Sequence, residues 1–350
     1  MIMHLVRYFL IFILASYLLA CSPTTTTPTP TPPFGLPPLQ LPQDESPHDY
    51  LAEWWYFNAH LETEEKEKFS LHDVVFQIQE PASKRNIYVR QIGLSTPNNQ
   101  YVTSERMRSV SSILPSESGD FDLIIGNSKM QGIQGENYFL SANVKNYHYE
   151  LQLTSTTKPL VHGGGLLDYK EAGITYYYTR PRLNITGIIT TPLDKKIPVK
   201  GLGWMDKQWG DFQPVSVEWD WASIQLDDGT DLMISMLYDR KGTPVENYAT
   251  LRRKGKPSQF LTRNQFTFKP QPPKWKSPHT GTYYRTSWRL TIPTESVDLI
   301  LQSQNSISEF SGQLLPVAYW ESAVKVTNAQ NGEPEGQGFI ELNWAQGRDR

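Results

Sequence analysis

The chain has 350 residues, a net charge of -3 at neutral pH and a single cysteine. This length is sufficient for two domains, or for one large all-β domain with a sizeable core. The small negative charge gives no electrostatic basis for binding nucleic acid, and one cysteine excludes an intramolecular disulfide. With 10 Trp, 18 Tyr, 26 Pro and 23 Gly, the composition favours short strands and turns over helices.

The N-terminus has the pattern of an export signal. Arg7 precedes an apolar run from Tyr8 to Ala20, which is short for a membrane-spanning helix and ends in small residues. Its last four residues, LLAC, resemble the lipobox of bacterial lipoproteins, in which the cysteine becomes the lipid-modified first residue. We therefore expect residues 1–21 to be a lipoprotein signal peptide with the lipid on Cys21. The alternative is an ordinary export signal with a chance cysteine.

Several lipid chains on one cysteine can hold a globular protein at a membrane surface without a spanning helix. Because Ser22 follows the cysteine, the bacterial sorting pattern predicts an outer-membrane anchor in the cell envelope, facing the periplasm. Residues 22–47 are rich in Pro and Thr, so we predict a disordered, semi-extended tether. Radiolabelled palmitate should be incorporated into the wild-type chain, and unchanged incorporation into Cys21→Ser would contradict the anchor.

From residue 48 onward, short β-type runs alternate with turn residues, and two of the runs form an internal repeat. EWWYFNAHLE, which starts at Glu53, aligns with EWDWASIQLD, which starts at Glu218. Two copies this far apart predict two similar β domains in tandem, at 48–214 and 215–350. The boundary is expected near residues 212–217, just before the second copy begins.

The strand period of two places aromatic and small polar side chains on one face of each copy. The residues on this face are Trp54, Tyr56, Asn58 and His60 in the first copy, and Trp219, Trp221, Ser223 and Gln225 in the second. Such a mixture is typical of an apolar cavity with a few orienting hydrogen bonds, as in ligand-binding barrels. The alternative is an outer face that covers a neighbouring loop or sheet.

Six motifs along the chain, two of which contain the repeat, resemble those of a known family. They are EWWYFNAHL, HGGGLLDYKEAGITYYYTRPRLNITG, GLGWMDKQWGDF, EWDWASIQLDDGTDLM, YWESAVKV and GQGFIELNW. In order and spacing they resemble the AttH and hydroxyneurosporene-synthase (carotenoid 1,2-hydratase) family, from about Asp49 to Trp344. The resemblance implies an all-β fold of two tandem lipocalin-like β-barrel domains, in agreement with the repeat. Members of this family include carotenoid hydratases, fungal relatives that steer polyketide cyclisation, and secreted or lipid-anchored bacterial proteins.

Two functions therefore stay open. The first is a lipid-anchored envelope protein that binds an extended apolar ligand, a lipid or isoprenoid-like molecule, in a lipocalin-type cavity. The second is a hydratase-like or cyclase-like enzyme that protonates a polyene and adds water. The sequence contains no G-x-S-x-G, H-E-x-x-H, C-x-x-C or phosphate-loop signature, and its histidines lack metal-ligand spacing, so we predict no cofactor and no metal.

The motif GLGWMDKQWGDF, which begins at Gly201, contains the main catalytic candidate, Asp206. A hydratase needs a carboxylic acid whose pKa is raised by an apolar pocket, together with aromatic faces that stabilise a carbocation. Asp206 lies among tryptophans, as does Asp220, and Glu53 is a third candidate. The resemblance implies Asp-His-x-Trp in the hydratases, whereas this chain has Lys207, whose ammonium would lower the pKa of a neighbouring carboxyl.

The alternative is a buried structural cluster in which Asp206 pairs with Lys207 or Arg180. We expect the aromatics of the motif to wall a cavity, or its mouth, at the domain junction. The residues predicted to contact the apolar ligand are Trp54, Tyr56, Tyr178, Trp204, Lys207, Gln208, Trp209, Trp219 and Trp221.

Overall fold

The computed structural model describes residues 33–80, 82–83, 85–110, 116, 118–315 and 317–344. The chain divides into two units between residues 37 and 38, and the described part of the first, residues 33–37, contains a short 3-10 turn at Pro33–Gly35. The predicted signal peptide, Cys21 and the first part of the predicted tether lie outside the described residues. Within the described ranges, no helix is both long enough and apolar enough to cross a membrane.

The first half of the larger unit is an 11-stranded antiparallel sheet. Its strands are β1 (Ala52–Glu62), β2 (Lys68–Gln79), β3 (Asn86–Ser95), β4 (Tyr101–Val110), β5 (Phe121–Ile125), β6 (Ser128–Ile133), β7 (Asn137–Val144), β8 (Tyr147–Ser155), β9 (Leu160–Asp168), β10 (Gly173–Thr190) and β11 (Lys196–Phe212). The strand order is β4-β3-β2-β1-β11-β10-β8-β7-β6-β5, and β9 pairs with β10 beside this row.

The second half is a 10-stranded antiparallel sheet. Its strands are β12 (Val217–Leu226), β13 (Asp231–Asp239), β14 (Pro244–Arg252), β15 (Gln259–Thr262), β16 (Thr267–Lys276), β17 (Tyr283–Ile292), β18 (Val297–Ser303), β19 (Glu309–Ser311), β20 (Ala318–Asn328) and β21 (Pro334–Asn343). The order is β15-β14-β13-β12-β21-β20-β18-β17-β16, and β19 pairs with β20. Further 3-10 turns lie at Gln43–Glu45, Lys170–Ala172, Pro214–Ser216 and Pro293–Glu295.

The two sheets share one plan, which confirms the predicted all-β fold with two barrel-like halves. In each sheet the first strand lies between the second strand and the last, so β1 and β12 occupy equivalent positions. The first sheet ends at Phe212 and the second begins at Val217. Both belong to one compact unit, so the division into domains at 214/215 stays a prediction.

The two barrel-like halves, called barrels below, have packed apolar cores. Trp55 and Phe57 of β1 point into the first core, and Ala222 and Ile224 of β12 point into the second. The opposite faces of β1 and β12, which were expected to line a ligand cavity, meet in a third cluster between the barrels. The prediction that these faces line a cavity inside a lipocalin-type barrel is therefore wrong. The other side of each strand fills the barrel interior, so these faces pack against the neighbouring sheet.

Candidate functional site between the barrels

A cleft of about 90 Å³ lies between the barrels, where β1, β10 and β11 face β12, β20 and β21. Its wall is rich in aromatic side chains and includes Trp54, Tyr56, Phe76, Tyr177, Phe212, Trp219, Trp221 and Tyr319. Three carboxyl groups, those of Asp206, Glu321 and Glu341, also line it. A concave apolar site with a few polar groups is the usual form of a small-molecule pocket.

A second internal repeat explains why carboxyls from both barrels meet here. GLGWMDKQW on β11 and GQGFIELNW at β21 follow one pattern, and each of these last strands pairs with the first strand of its sheet. Asp206 lies opposite Tyr56, and Glu341 lies opposite Trp221. Tyr56 and Trp221 are equivalent positions of the first repeat. Asp206 and Glu341 are therefore equivalent carboxyls, one from each barrel, and face-to-face packing brings them into one cleft.

The glycines of this second repeat allow the paired strands to approach closely. A Cβ atom at Gly201 would lie 1.8 Å from the carbonyl oxygen of His60, and one at Gly338 would lie 2.1 Å from that of Ser223. Side chains at these positions would push the last strand away from the first. The pattern Gly-x-Gly-aromatic-apolar-acid, which the two motifs share, is the signal in the sequence from which Glu341 could have been predicted.

Three donors hold the carboxyl group of Asp206. Trp204 Nε1 donates to Oδ1 at 2.7 Å, the Thr179 hydroxyl also donates to Oδ1, and the Tyr177 hydroxyl donates to Oδ2. From the other barrel, Trp221 Nε1 donates to the Tyr177 hydroxyl at 3.0 Å. Burial raises the pKa of Asp206 to about 6, although these hydrogen bonds favour the carboxylate. Asp206 is therefore mainly ionised at neutral pH, with a pKa close to the physiological range.

Glu321 and Glu341 hold their protons more strongly than Asp206 does. The Tyr56 hydroxyl donates to Glu321 Oε1, and Trp219 Nε1 donates to Glu341 Oε1 at 3.1 Å. Burial raises the pKa of Glu341 to about 7. Burial, reinforced by the neighbouring Glu341 carboxyl, raises the pKa of Glu321 well above its ordinary value. At neutral pH the cleft thus places a protonated carboxylic acid near a carboxylate, the combination needed for general acid–base chemistry.

His72 supports Glu321 from β2. Its Nδ1 lies 3.2 Å from Glu321 Oε2, and its Nε2 lies 3.4 Å from the Tyr319 hydroxyl. Burial lowers the pKa of His72 to about 3, so the ring is neutral. His72 and the protonated Glu321 carboxyl therefore meet as two uncharged polar groups, which keeps charge out of the apolar wall.

Lys207 and Arg180 do not form the expected pairs with Asp206. Successive residues of a strand point to opposite faces, and Lys207 lies on the side of β11 that faces the first barrel. Its Nζ pairs with Glu53 Oε1 and lies 3.6 Å from the centre of the Trp55 ring, while Arg180 pairs with Glu45. The Lys207 ammonium therefore does not pair with Asp206, and the expected lowering of the Asp206 pKa by this neighbour does not apply.

The other predicted site residues separate into two groups. Five of them line the cleft: Trp54, Tyr56, Gln208, Trp219 and Trp221. Trp204 lies behind Asp206 and contacts Trp221, with ring centres 6.4 Å apart. In the described part of the chain, no three His, Cys, Asp or Glu side chains converge as a metal site would require.

The remaining candidates lie away from the cleft. Trp209 stacks between His48 and Tyr176, at ring-centre distances of 4.4 and 5.0 Å, and Tyr178 packs edge-on against Trp209. Glu53 is the buried partner of Lys207, as described above. Asp220 is buried on the barrel side of β12, where its Oδ1 accepts a hydrogen bond from Trp344 Nε1 at 2.5 Å.

Two curated proteins resemble this chain over about two thirds of their own length. Kievitone hydratase of Fusarium solani subsp. phaseoli is 23% identical over 248 residues, which are 65% of this chain and 67% of the relative. Dehydratase asqC of Emericella nidulans is 24% identical over 227 residues, which are 61% of this chain and 63% of the relative.

Solved structures of similar proteins confirm the fold. An AttH protein from Nitrosomonas europaea matches with a TM-score of 0.79 at 23% identity, over 90% of this chain and 99% of its own. Kievitone hydratase from Nectria haematococca matches with a TM-score of 0.71 at 18% identity, over 89% of this chain and 94% of its own. The sequence model of the AttH-like family matches residues 32–344. Because this match spans nearly the whole chain, the protein belongs to the AttH-like family, as its motifs predicted.

Proposed function

We propose that this protein is an enzyme of the hydratase or dehydratase type, which adds water to, or removes it from, a carbon–carbon double bond. The observation that carries the proposal is the convergence of Asp206, Glu321 and Glu341, all with raised pKa values, in one aromatic cleft. Two relatives bear the names hydratase and dehydratase, which supports this reaction class.

Glu321 and Asp206 have complementary roles in this reaction. Glu321 donates its proton to one alkene carbon, and the resulting cation at the other carbon is stabilised by the faces of Trp54 and Trp219. A water molecule bonds to this cationic carbon while Asp206 accepts the proton that the water loses. The substrate gains one water molecule, and proton return from Asp206 to Glu321 through solvent restores both groups. Dehydration follows the same steps in reverse.

The substrate is an apolar molecule whose reacting double bond reaches into the cleft. Half of the residues that line the cleft are aromatic, and its volume of about 90 Å³ suits the reacting part of a larger molecule. Kievitone, named in one relative, and an acyclic carotenoid, suggested by the family resemblance, are the two probes of choice.

Incorporation of oxygen-18 tests the proposal. The full chain is incubated with each probe in oxygen-18 water, and the products are examined by mass spectrometry. We expect a hydrated product that carries the label, because the added hydroxyl comes from water. Absence of label from several alkenes that demonstrably bind would contradict the enzyme and leave a carrier of apolar ligands, the first function suggested by the sequence.

We also propose that the predicted lipid on Cys21 keeps the enzyme at the envelope membrane, where apolar substrates concentrate. The LLAC ending and the single cysteine support this location. Partners in transport are left open by the sequence, and the palmitate experiment described above tests the anchor.

A further inference from the structure

A chain of hydrogen bonds leads from Asp206 away from the cleft to the second barrel. The Thr179 hydroxyl donates to Asp206 Oδ1, and His162 Nε2 lies 2.9 Å from Thr179 Oγ1. On the other side of the ring, His162 Nδ1 lies 2.9 Å from Thr250 Oγ1 of β14. The side chains of His162 and Thr179 are fully buried, and Thr250 is 1% exposed. The chain therefore joins a candidate catalytic carboxyl to the opposite sheet without access to bulk water.

The donor directions along this chain depend on one another. A neutral imidazole has one N–H donor and one acceptor nitrogen, and a threonine hydroxyl has one proton. If His162 carries its proton on Nε2, it donates to Thr179, whose own proton remains available for Asp206. If the proton is on Nδ1, Nε2 must accept the Thr179 proton, and Asp206 loses this donor.

We propose that His162 is a positioning residue for Asp206, whose Nε2–H tautomer holds the Thr179 hydroxyl as a donor to the carboxylate. The effect of His162 on the pKa of Asp206 does not depend on the proposed function. Its consequence for catalysis rests on the proposed function, in which Asp206 is the base. A hydrogen bond to the charged form stabilises the carboxylate. His162 thus helps to set the pH above which Asp206 acts as a base, although it does not touch the cleft.

The surroundings of His162 favour a ring that stays neutral. Burial lowers its pKa to about 3, and the Tyr177 ring packs against it at 4.5 Å between centres. The titratable groups that act electrostatically on Asp206 or are affected by it are Tyr169, Tyr177, Tyr248, Glu321 and Glu341. The variants of Thr179 and His162 used below alter none of these groups. A change in the pKa of Asp206 in those variants therefore reports on the hydrogen bonds that join His162, Thr179 and Asp206.

Nuclear magnetic resonance of the full chain tests the proposal without a substrate. Nitrogen-15 in the histidine rings reports the tautomer, and carbon-13 in the aspartate carboxyls reports their titration. Signals of His162 and Asp206 are assigned by their loss in His162→Gln and Asp206→Asn. We expect the Nε2–H tautomer at neutral pH. Thr179→Val should raise the pKa of Asp206 by about one pH unit, the size expected when a carboxylate loses one hydrogen bond.

Further variants separate positioning from general structural damage. His162→Ala should raise the pKa of Asp206 as Thr179→Val does, whereas His162→Gln, whose amide can donate in place of Nε2–H, should restore it. Thr175→Val is the matched control, because this buried β10 hydroxyl donates to the carbonyl oxygens of Tyr176 and Trp209 instead. It should leave the pKa of Asp206 unchanged.

Two results would overturn the inference: an Nδ1–H tautomer of His162 at neutral pH, or an unchanged pKa of Asp206 in Thr179→Val. The tautomer is measured in the wild-type chain, so it decides the question even where a variant does not fold. If both readouts agree with expectation and the oxygen-18 assay fails, only the proposed function is contradicted.

Discussion

Replacement of Glu321 by Gln is expected to lower the rate of hydration by about 10²–10⁴-fold, the usual contribution of a general acid. Gln has nearly the same shape, so it preserves the aromatic wall but has no acidic proton to donate. Affinity for the alkene should stay within a few-fold of wild type, because only a transition-state interaction is removed. The oxygen-18 assay gives the rate, and quenching of tryptophan fluorescence gives the affinity.

Asp206→Asn should cause a loss of similar size with unchanged affinity, because the base is removed while the shape is kept. Glu309→Gln is the matched control: Glu309 is a buried carboxyl of the second barrel that accepts hydrogen bonds from Ser277 and Thr280, outside the cleft. It should leave the rate nearly unchanged. Equal losses in all three variants, or wild-type rates in Glu321→Gln, would contradict the assigned roles.

Replacement of Lys207 by Met is expected to reduce the free energy of unfolding by about 3–5 kcal/mol, the usual cost of removing one partner from a buried ion pair. Lys207 and Glu53 are both fully buried, and the change leaves the Glu53 carboxylate beside the His48 ring without the Lys207 ammonium. Urea unfolding provides the measurement, since a lower midpoint at unchanged slope reports lost stability.

The double variant Glu53→Gln/Lys207→Met serves as the control for this effect. It removes both charges, so no unpaired carboxylate remains in the first barrel and most of the stability should return. If the double variant is as unstable as Lys207→Met, the loss comes from packing around Trp55 and not from the charge. The cleft lies on the other face of β11, so the folded fraction of either variant should retain the acid–base chemistry of the cleft.

The duplication explains how one cleft acquires both an acid and a base. On β10, Thr179 lies opposite Asp206, whereas on β20 the corresponding partner of Glu341 is Glu321. A hydroxyl donor stabilises the charged form of its carboxyl, and a second carboxyl destabilises it. Equivalent positions of two similar sheets therefore hold their protons with different strength, and the sheet that has two carboxyls supplies the acid.

Some of this arrangement follows directly from the sequence. The period of two placed Trp204, Asp206 and Gln208 on one face of their strand, and the Glu-Trp repeat identified β1 and β12 as equivalent. Glu341 could have been predicted from the Gly-x-Gly repeat that its strand shares with that of Asp206. Glu321 could not be assigned in this way, because it reaches the cleft through the packing of two sheets and not through local spacing. The prediction that Lys207 could pair with Asp206 was wrong, because consecutive residues of a strand point to opposite faces of the sheet.

Infrared spectroscopy at pH 7 tests the central claim most directly, namely that the cleft holds a protonated carboxylic acid at neutral pH. Ordinary Asp and Glu side chains are ionised at this pH and give no carboxylic-acid carbonyl band. We expect such a band in the wild-type protein and the loss of its larger part in Glu321→Gln, with the remainder belonging to Glu341. Absence of the band from wild type, or an undiminished band in Glu321→Gln, would contradict the assignment of Glu321 as the acid.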